Sequence, residues 1–188
     1  APAAFNCEGG LVLNRSTFLM QPGEALELQN FEPDIEGGYR RINGFSKYVS
    51  VVVPQTSSST EKVLMVATFG DFVVAARGEK IFSATAGGSS WTERDTGRTS
   101  AGKYNFERYN FDGTSKLIVV DGTNAPTFFN TSMSATDVSE SSVEGSKFVT
   151  AFRSHMFYAG KSTTPQTLVF SQPFDEDAFS SGSGAGTI

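Results

Sequence analysis

Apolar residues along this chain come in short runs broken by Gly, Asn, Asp and Pro, and no stretch of about 12 or more residues keeps a helical 3.6-residue period. The pattern predicts a nearly all-β protein. Candidate strands are 25–31, 39–45, 47–53, 62–69, 71–77 and 80–85, followed by 103–111, 116–121, 126–130, 147–152, 155–160 and 167–171. In 103–111 the two-residue strand period puts Tyr104, Phe106 and Arg108 on one face and Asn105, Glu107 and Tyr109 on the other. Both faces are partly aromatic, so this strand is expected to pack on both sides.

The breaks TSSST (56–60), TAGGSS (85–90), DGTS (112–115) and DGTN (121–124) carry turn chemistry, and Ser-rich 132–146 reads as a mobile loop. Taking Lys62, Lys103 and Lys147 as equivalent strand starts, 41 and 44 residues apart, exposes a weak internal repeat. Each unit runs strand, turn, second apolar strand (FVVAAR, KLIVVD, MFYAG), turn, third strand (KIFSAT, PTFFN, TLVFS) and polar tail (WTERD, ATDVS, DEDAF). Units of roughly 40–45 residues with three or four strands are the signature of β-propeller blades. The expected fold is therefore all-β with propeller-like blades at about 62–102, 103–146 and 147–188, preceded by an extended N-terminal segment with a hairpin over 1–55. A β-sandwich or barrel is the rival, because its strands recur at similar spacing. Three blades do not close a ring of four to eight, which suggests an incomplete propeller, subunits that complete one another, or a fragment of a longer chain.

Composition sharpens this picture. The 188 residues are 38% hydrophobic and 19% charged, with 17 Phe against one Trp, and Phe both fills cores and favours strands. A formal charge of -5, from 15 basic and 20 acidic residues, supplies no broad basic field for gripping phosphates. One cysteine, Cys7, excludes an internal disulfide framework and fits folding in a reducing cytoplasm. Neither a secretion signal nor a membrane span is evident, so the sequons at Asn14 and Asn130 read as chance.

Candidate chemistry is thin, and no catalytic, cofactor or metal residues are assigned. Gly160-Lys161-Ser162 has the ending of a phosphate loop, but the position of its required earlier glycine is His155 and a strand follows instead of a helix. GSGAG (182–186) has no helix after it either. His155 is the sole histidine and reads as a strand start, either exposed or hydrogen-bonded, with no GxSxG-type nucleophile to serve. One His and one Cys cannot build a closed zinc site. Asp175, Glu176 and Asp177 lack the spacing of a calcium loop and read as a solvated acidic turn. Trp91 with Glu93 and Asp95 is the local candidate for a sugar-binding or glycan-cleaving surface, the competing functional class.

Residues 9–48 carry a paired glycine, a PGE turn before a strand, an NF end and a Gly-flanked basic pair before another glycine: Gly9, Gly10, Pro22, Gly23, Glu24, Asn30, Phe31, Gly38, Arg40, Arg41 and Gly44. This opening resembles that of the tail tubular (nozzle or hub) proteins of short-tailed bacteriophages, and 168–179 with 185–188 resemble propeller segments of such virion proteins. The matches cover about a third of the chain, which is much shorter than usual members. The resemblance implies a structural virion protein folded in the host cytoplasm. Identical subunits would form a ring, expected to be hexameric, next to portal and adaptor proteins of the neck, with genomic DNA passing through the lumen without specific binding. No cofactor is implied. Gly9, Gly10, Pro22, Gly23, Arg40 and Arg41 are the candidate assembly contacts, and 9–48 is expected to serve ring contacts more than the blade core does.

Overall fold

The computed structural model describes residues 9–34, 38–55, 61–99, 102–179 and 182–188. Two compact units divide between Ser46 and Lys47, earlier than the expected boundary near 55.

In the first unit, β1 (Gly10–Leu11) pairs in parallel with β2 (Glu24–Ala25), and β3 (Phe31–Pro33) pairs antiparallel with β4 (Tyr39–Arg41). The expected continuous strand over 25–31 is not formed, and that over 39–45 ends at Arg41. A 3-10 turn at Thr17–Leu19 is the one helical element among the described residues of this unit. The expected hairpin exists in shortened form, its tip falling on residues 35–37 outside the described set. Gly23 is the one buried residue among those described in this unit, whereas Phe18 and Phe45 are 95% and 96% exposed.

The second unit holds three four-stranded antiparallel sheets, each a simple up-and-down meander. Sheet 1 is β5 (Val63–Phe69), β6 (Phe72–Arg77), β7 (Lys80–Thr85) and β8 (Thr92–Asp95). Sheet 2 is β9 (Asn105–Asn110), β10 (Ser115–Val120), β11 (Thr127–Phe129) and β12 (Ala135–Asp137). Sheet 3 is β13 (Phe148–Phe152), β14 (His155–Ala159), β15 (Leu168–Phe170) and β16 (Gly186–Thr187). The repeat read from the sequence is thus a repeat of sheets. Two of its tails supply the fourth strands, β8 and β12, but the third does not: β16 comes from the glycine-rich 182–188 segment, and DEDAF lies in the long connection before it.

Sheets 1 and 2 pack through Met65, Phe69, Val74 and Ile81 against Leu117, Val119 and Phe129. Sheets 2 and 3 pack through Tyr109, Ile118 and Val120 against Met156, Tyr158 and Val169. The middle strand β10 explains how one sheet serves both neighbours. Alternate residues of a strand point to opposite faces, so Leu117 and Val119 meet sheet 1 while Ile118 and Val120 meet sheet 3, all four fully buried. The first strands of successive sheets lie close together: Asn105 Nδ2 donates to the Lys147 carbonyl (2.7 Å), and Arg108 Nη1 donates to the Thr68 carbonyl (3.3 Å).

Two expectations are overturned by packing. Segment 47–53 is not a strand, despite its β-branched run. It lies as a strap over sheet 1, with Val49 packed on Val73, Ala84 and Trp91. Its carbonyls and amides bond to turn and side-chain groups: Gly87 N donates to Tyr48 O (2.8 Å), Ser50 N to Gly88 O (3.1 Å), and Trp91 Nε1 to Val51 O (3.0 Å). Ser-rich 132–146 is not a free loop either. It contains β12 and closes over the core with Met133, Val138 and Val143 buried, because its few apolar residues sit where both interfaces need filling.

Candidate assembly surfaces

The six residues singled out as assembly contacts all lie in the first unit, where most of them shape the backbone. Pro22-Gly23 occupies the centre of a β-turn closed by Glu24 N donating to Gln21 O (3.1 Å), with Gly23 at φ 92°, the combination a type II turn requires. A Cβ on Gly9 would lie 2.7 Å from the Glu24 amide nitrogen, so only glycine lets this strand approach β2. Gly10, at φ 84°, sits beside the Tyr39 hydroxyl. Glu24 accepts from Arg15 Nη1 and from the Gln21 amide, both at 2.9 Å. Arg40 Nε donates to Glu32 Oε1 at 2.8 Å across the β3–β4 pair. Arg41 lines an open cleft of about 570 Å³ with Asn30, Asn43 and Phe45.

The second unit offers two apolar surfaces at opposite ends of its stack. The outer face of sheet 3 is aromatic. Strand alternation and register place Phe148, Phe152, Phe157 and Phe170 on the side turned away from sheet 2, with His155 among them. Phe148 and Phe152 are 59% and 60% exposed. The rings of Phe157 and Phe170 are 5.6 Å apart, Phe152 and Phe157 6.4 Å, and His155 meets Phe170 edge-on at 5.8 Å. Two glycines make this face possible: a Cβ on Gly160 would strike the Phe148 ring at 2.8 Å, and one on Gly186 the Phe170 ring at 2.7 Å. The tight β13–β14 turn puts Arg153 and Ser154 at φ 47° and 65°, as a two-residue hairpin demands, and the Arg153 guanidinium lies 5.4 Å from the Phe152 ring. At the other end, Tyr48, Val51 and Val52 of the strap are exposed, as is Val66 of β5 (61%), which strand alternation puts on the same face of sheet 1 as Val73 under the strap.

Between sheets 1 and 2 lies a polar cluster that the sequence reading did not single out. Arg98, in the connection after β8, is buried and reaches Asp95 (2.7 Å), Asp121 (2.9 Å), Thr127 Oγ1 (2.6 Å) and the Ala125 carbonyl (3.3 Å). Asp121 also accepts from the amides of Thr123 and Asn124 and from Asn124 Nδ2. Burial alone would lower the Arg98 pKa, but Tyr104, Asp121 and Asp95 outweigh it and hold the guanidinium charged. Burial likewise pushes Asp121 up, while bonds from Asn124 and the Arg98 charge bring its carboxyl below the ordinary value. Every charged group here is paired with another of the cluster, which suits a pin between sheets.

The remaining candidate chemistry is absorbed by structure. Lys161 Nζ, from the phosphate-loop-like triplet, donates to Ser141 O (2.7 Å). His155 Nδ1 donates to the Ser171 carbonyl at 2.6 Å. The acidic turn is less solvated than expected: Glu176 is buried with Lys116 Nζ at 2.6 Å, and Asp177 accepts from the Ser139 amide. Trp91, Glu93 and Asp95 are engaged separately, Trp91 with the strap, Glu93 with Lys80 and Asp95 with Arg98. No group of three or more His, Cys, Asp or Glu poised for a metal ion occurs among the described residues, and Cys7 lies outside them. No helix among the described residues is long and apolar enough to cross a membrane. A cleft of about 510 Å³ at the sheet 1–sheet 2 edge is lined by Phe69, Arg108, Tyr109 and Lys116, with both cations already bonded within the fold. Burial, then the Glu176 carboxylate, pushes the Tyr109 phenol above its usual range.

Comparison with protein families, with curated proteins and with solved structures finds no match to this chain.

Proposed function

We propose that this chain is a structural, self-assembling component of a short-tailed bacteriophage tail, acting by holding shape and not by catalysis. The three sheets are read as blades of a propeller-like body. Identical subunits build a ring, taken as hexameric, that joins portal and adaptor proteins and lets DNA pass without binding it specifically. The reading rests on the opening at 9–48, on the blade-like succession of sheets, and on one observation above all. The first unit exposes Leu13, Phe18, Leu19 and Phe45 while burying no large apolar side chain among its described residues. Apolar surface of that extent is characteristic of an interaction site, since water penalises it at roughly 25 cal/mol per Å².

The test is particle assembly. A Phe18→Ser/Phe45→Ser variant is expected to keep the β-type circular-dichroism spectrum of the parent and to be missing from phage particles in a complementation assay. Normal incorporation of the variant would refute the assembly role of this segment, and absence of the unmodified protein from purified particles would refute the virion assignment.

A further inference from the structure

We propose that Lys62, Lys103 and Lys147 form a row of phosphate contacts for the backbone of duplex DNA, one lysine from each sheet. This deepens the reading above and rests on it only for bringing DNA to the chain.

Each lysine stands where the chain enters the edge strand of its sheet. Lys62 immediately precedes β5, Lys147 immediately precedes β13, and Lys103 lies just ahead of β9. The repeat seen in the sequence is thus a repeat of position in the fold. The edge strands lie side by side: Asn105 Nδ2 donates to the Lys147 carbonyl at 2.7 Å and Thr150 Oγ1 to Glu107 at 3.3 Å, so β9 and β13 run the same way, and the bond from Arg108 to the Thr68 carbonyl sets β5 alongside. Counted back from these contacts, neighbouring lysines stand within about two residues of one level, on the order of 7 Å along a strand.

The fold makes no use of these three charges. All three side chains are exposed, and no hydrogen bond or ion pair engages their ammonium groups among the described residues. Other cations of this unit are held: Arg77 by the Val53 carbonyl, Lys80 and Lys116 by glutamates, Arg98 by aspartates, Lys161 by the Ser141 carbonyl. Lys103 and Lys147 moreover share an open cleft of about 450 Å³ with Asn105, Gly122 and Thr123. Gly122 sits at φ 82°, and a Cβ there would fall 2.8 Å from Lys147 Cγ, so glycine lets the lysine stem lie across this turn. Asp121 borders the same cleft, but Arg98 already neutralises it at 2.9 Å, which leaves the two lysines to set the charge.

Cations spread one per sheet do not converge on a single small anion. They fit an anion that repeats. Duplex DNA carries a charge about every 1.7 Å of its axis, so a fixed row meets phosphates whatever the base sequence. A flexible acidic peptide would first have to be ordered against the row, at a cost in entropy. Three contacts on a chain of net charge -5 make a local, salt-labile attraction, one that touches a passing duplex without retaining it.

Fluorescence anisotropy of a labelled duplex of about 20 base pairs, titrated with the whole chain between about 20 and 100 mM salt, tests this through the number of phosphates neutralised. Three contacts predict a slope of log K against log salt of about -2.7, an affinity loss of about 80-fold over that range, equal for two duplexes of unrelated sequence. Lys103→Gln/Lys147→Gln should reduce the slope to about -0.9, a loss of about fourfold, with an unchanged circular-dichroism spectrum. Lys161→Gln, whose cation lies off the row, should leave the slope as it is. Absence of binding at about 200 µM protein in about 20 mM salt would overturn the proposal, as would a slope that the double variant leaves unchanged or that Lys161→Gln lowers as much. Polyglutamate binding more tightly than the duplex at the same salt would overturn the choice of DNA. A chain that binds no duplex yet is incorporated into particles removes this inference and leaves the tail role standing. Lysine-dependent duplex binding by a chain absent from particles does the reverse.

Discussion

Phe69, Tyr109 and Phe152 are aromatic residues at or next to the end of the first strand of each sheet, yet Phe69 and Tyr109 are 5% and 6% exposed while Phe152 is 60% exposed. The difference does not lie in the strands that carry them, which all end at a turn and pair with the next strand. It lies in whether side chains of a neighbouring sheet pack over them among the described residues. A repeating β unit cannot bury both its faces alone, so each sheet carries an apolar face for a neighbour, and the outer face of sheet 3 leaves Phe148 and Phe152 exposed. Covered and open faces with the same design should therefore respond oppositely to the same kind of substitution.

The largest effect is expected on the covered side. Phe129 is fully buried between sheets 1 and 2, and Phe129→Ala removes a large ring from a site the surrounding strands cannot close. Unfolding by urea should show a loss of about 3–5 kcal/mol, the range for such truncations. A loss below about 1 kcal/mol would mean that the interface is loosely packed and that the contrast with sheet 3 is overstated.

Arg98→Met sharpens the same contrast through charge. The substitution keeps much of the side-chain volume but leaves Asp121 and Asp95 without their cation, at a cost of about 3 kcal/mol at neutral pH. Because the Asp121 carboxyl titrates below its ordinary value of 3.8 in the fold, its contribution is fully present above that value and is lost as pH falls through the folded value. The gap in stability between parent and variant should accordingly narrow on acidification below about pH 4. A gap that is constant from neutral to acid pH would show that packing, not the ion cluster, sets the effect.

His155→Ala probes the border between the two regimes, since this residue bonds to the Ser171 carbonyl on one side and joins the open aromatic face on the other. A loss of about 1 kcal/mol is expected, the usual worth of one hydrogen bond, with the β-type spectrum retained. A loss above about 3 kcal/mol would place the open face within the core.

Much of this organisation is legible in the sequence, and the failures have identifiable causes. Strands such as 72–77, 80–85 and 115–120 are found because apolar β-branched runs between turn residues have few other uses. The fourth strands β8 and β12 are hidden in polar tails because an edge strand like Thr92–Asp95 bonds through its backbone while side chains such as Thr92 and Glu93 meet water. The strap at 47–53 looks like a strand for the opposite reason: its valines satisfy a β pattern, but its polar backbone groups go to Gly87, Gly88 and Trp91 instead of a ladder. Arg98 leaves no local trace at all, as its partners lie 3, 23 and 29 residues away and a single arginine between Gly97 and Thr99 has no period to betray it. Among the candidate contacts, the turn at Pro22-Gly23 could be derived from residue type, whereas the Arg40–Glu32 pair depends on the β3–β4 register, which the sequence does not fix.

The smallest effect on stability is expected at the residue that motivates the comparison. Phe152 touches Phe157 and lies under the Arg153 guanidinium, but more than half of its surface is open, so Phe152→Ser removes little that folding had buried. Measured on dilute protein, where association does not contribute, its unfolding free energy should stay within about 0.5 kcal/mol of the parent, the range of surface substitutions. The same variant at high concentration loses apolar contact area that only a partner could supply, so its effect should appear in association and not in folding. Urea melts of parent and variant at two protein concentrations separate the two. Coincident melts when dilute, with only the parent becoming more stable when concentrated, would establish that the open face of sheet 3 takes part in association between copies. A dilute-protein loss above about 2 kcal/mol would instead show that Phe152 belongs to the fold's own core, and the distinction between its position and that of Phe69 would collapse.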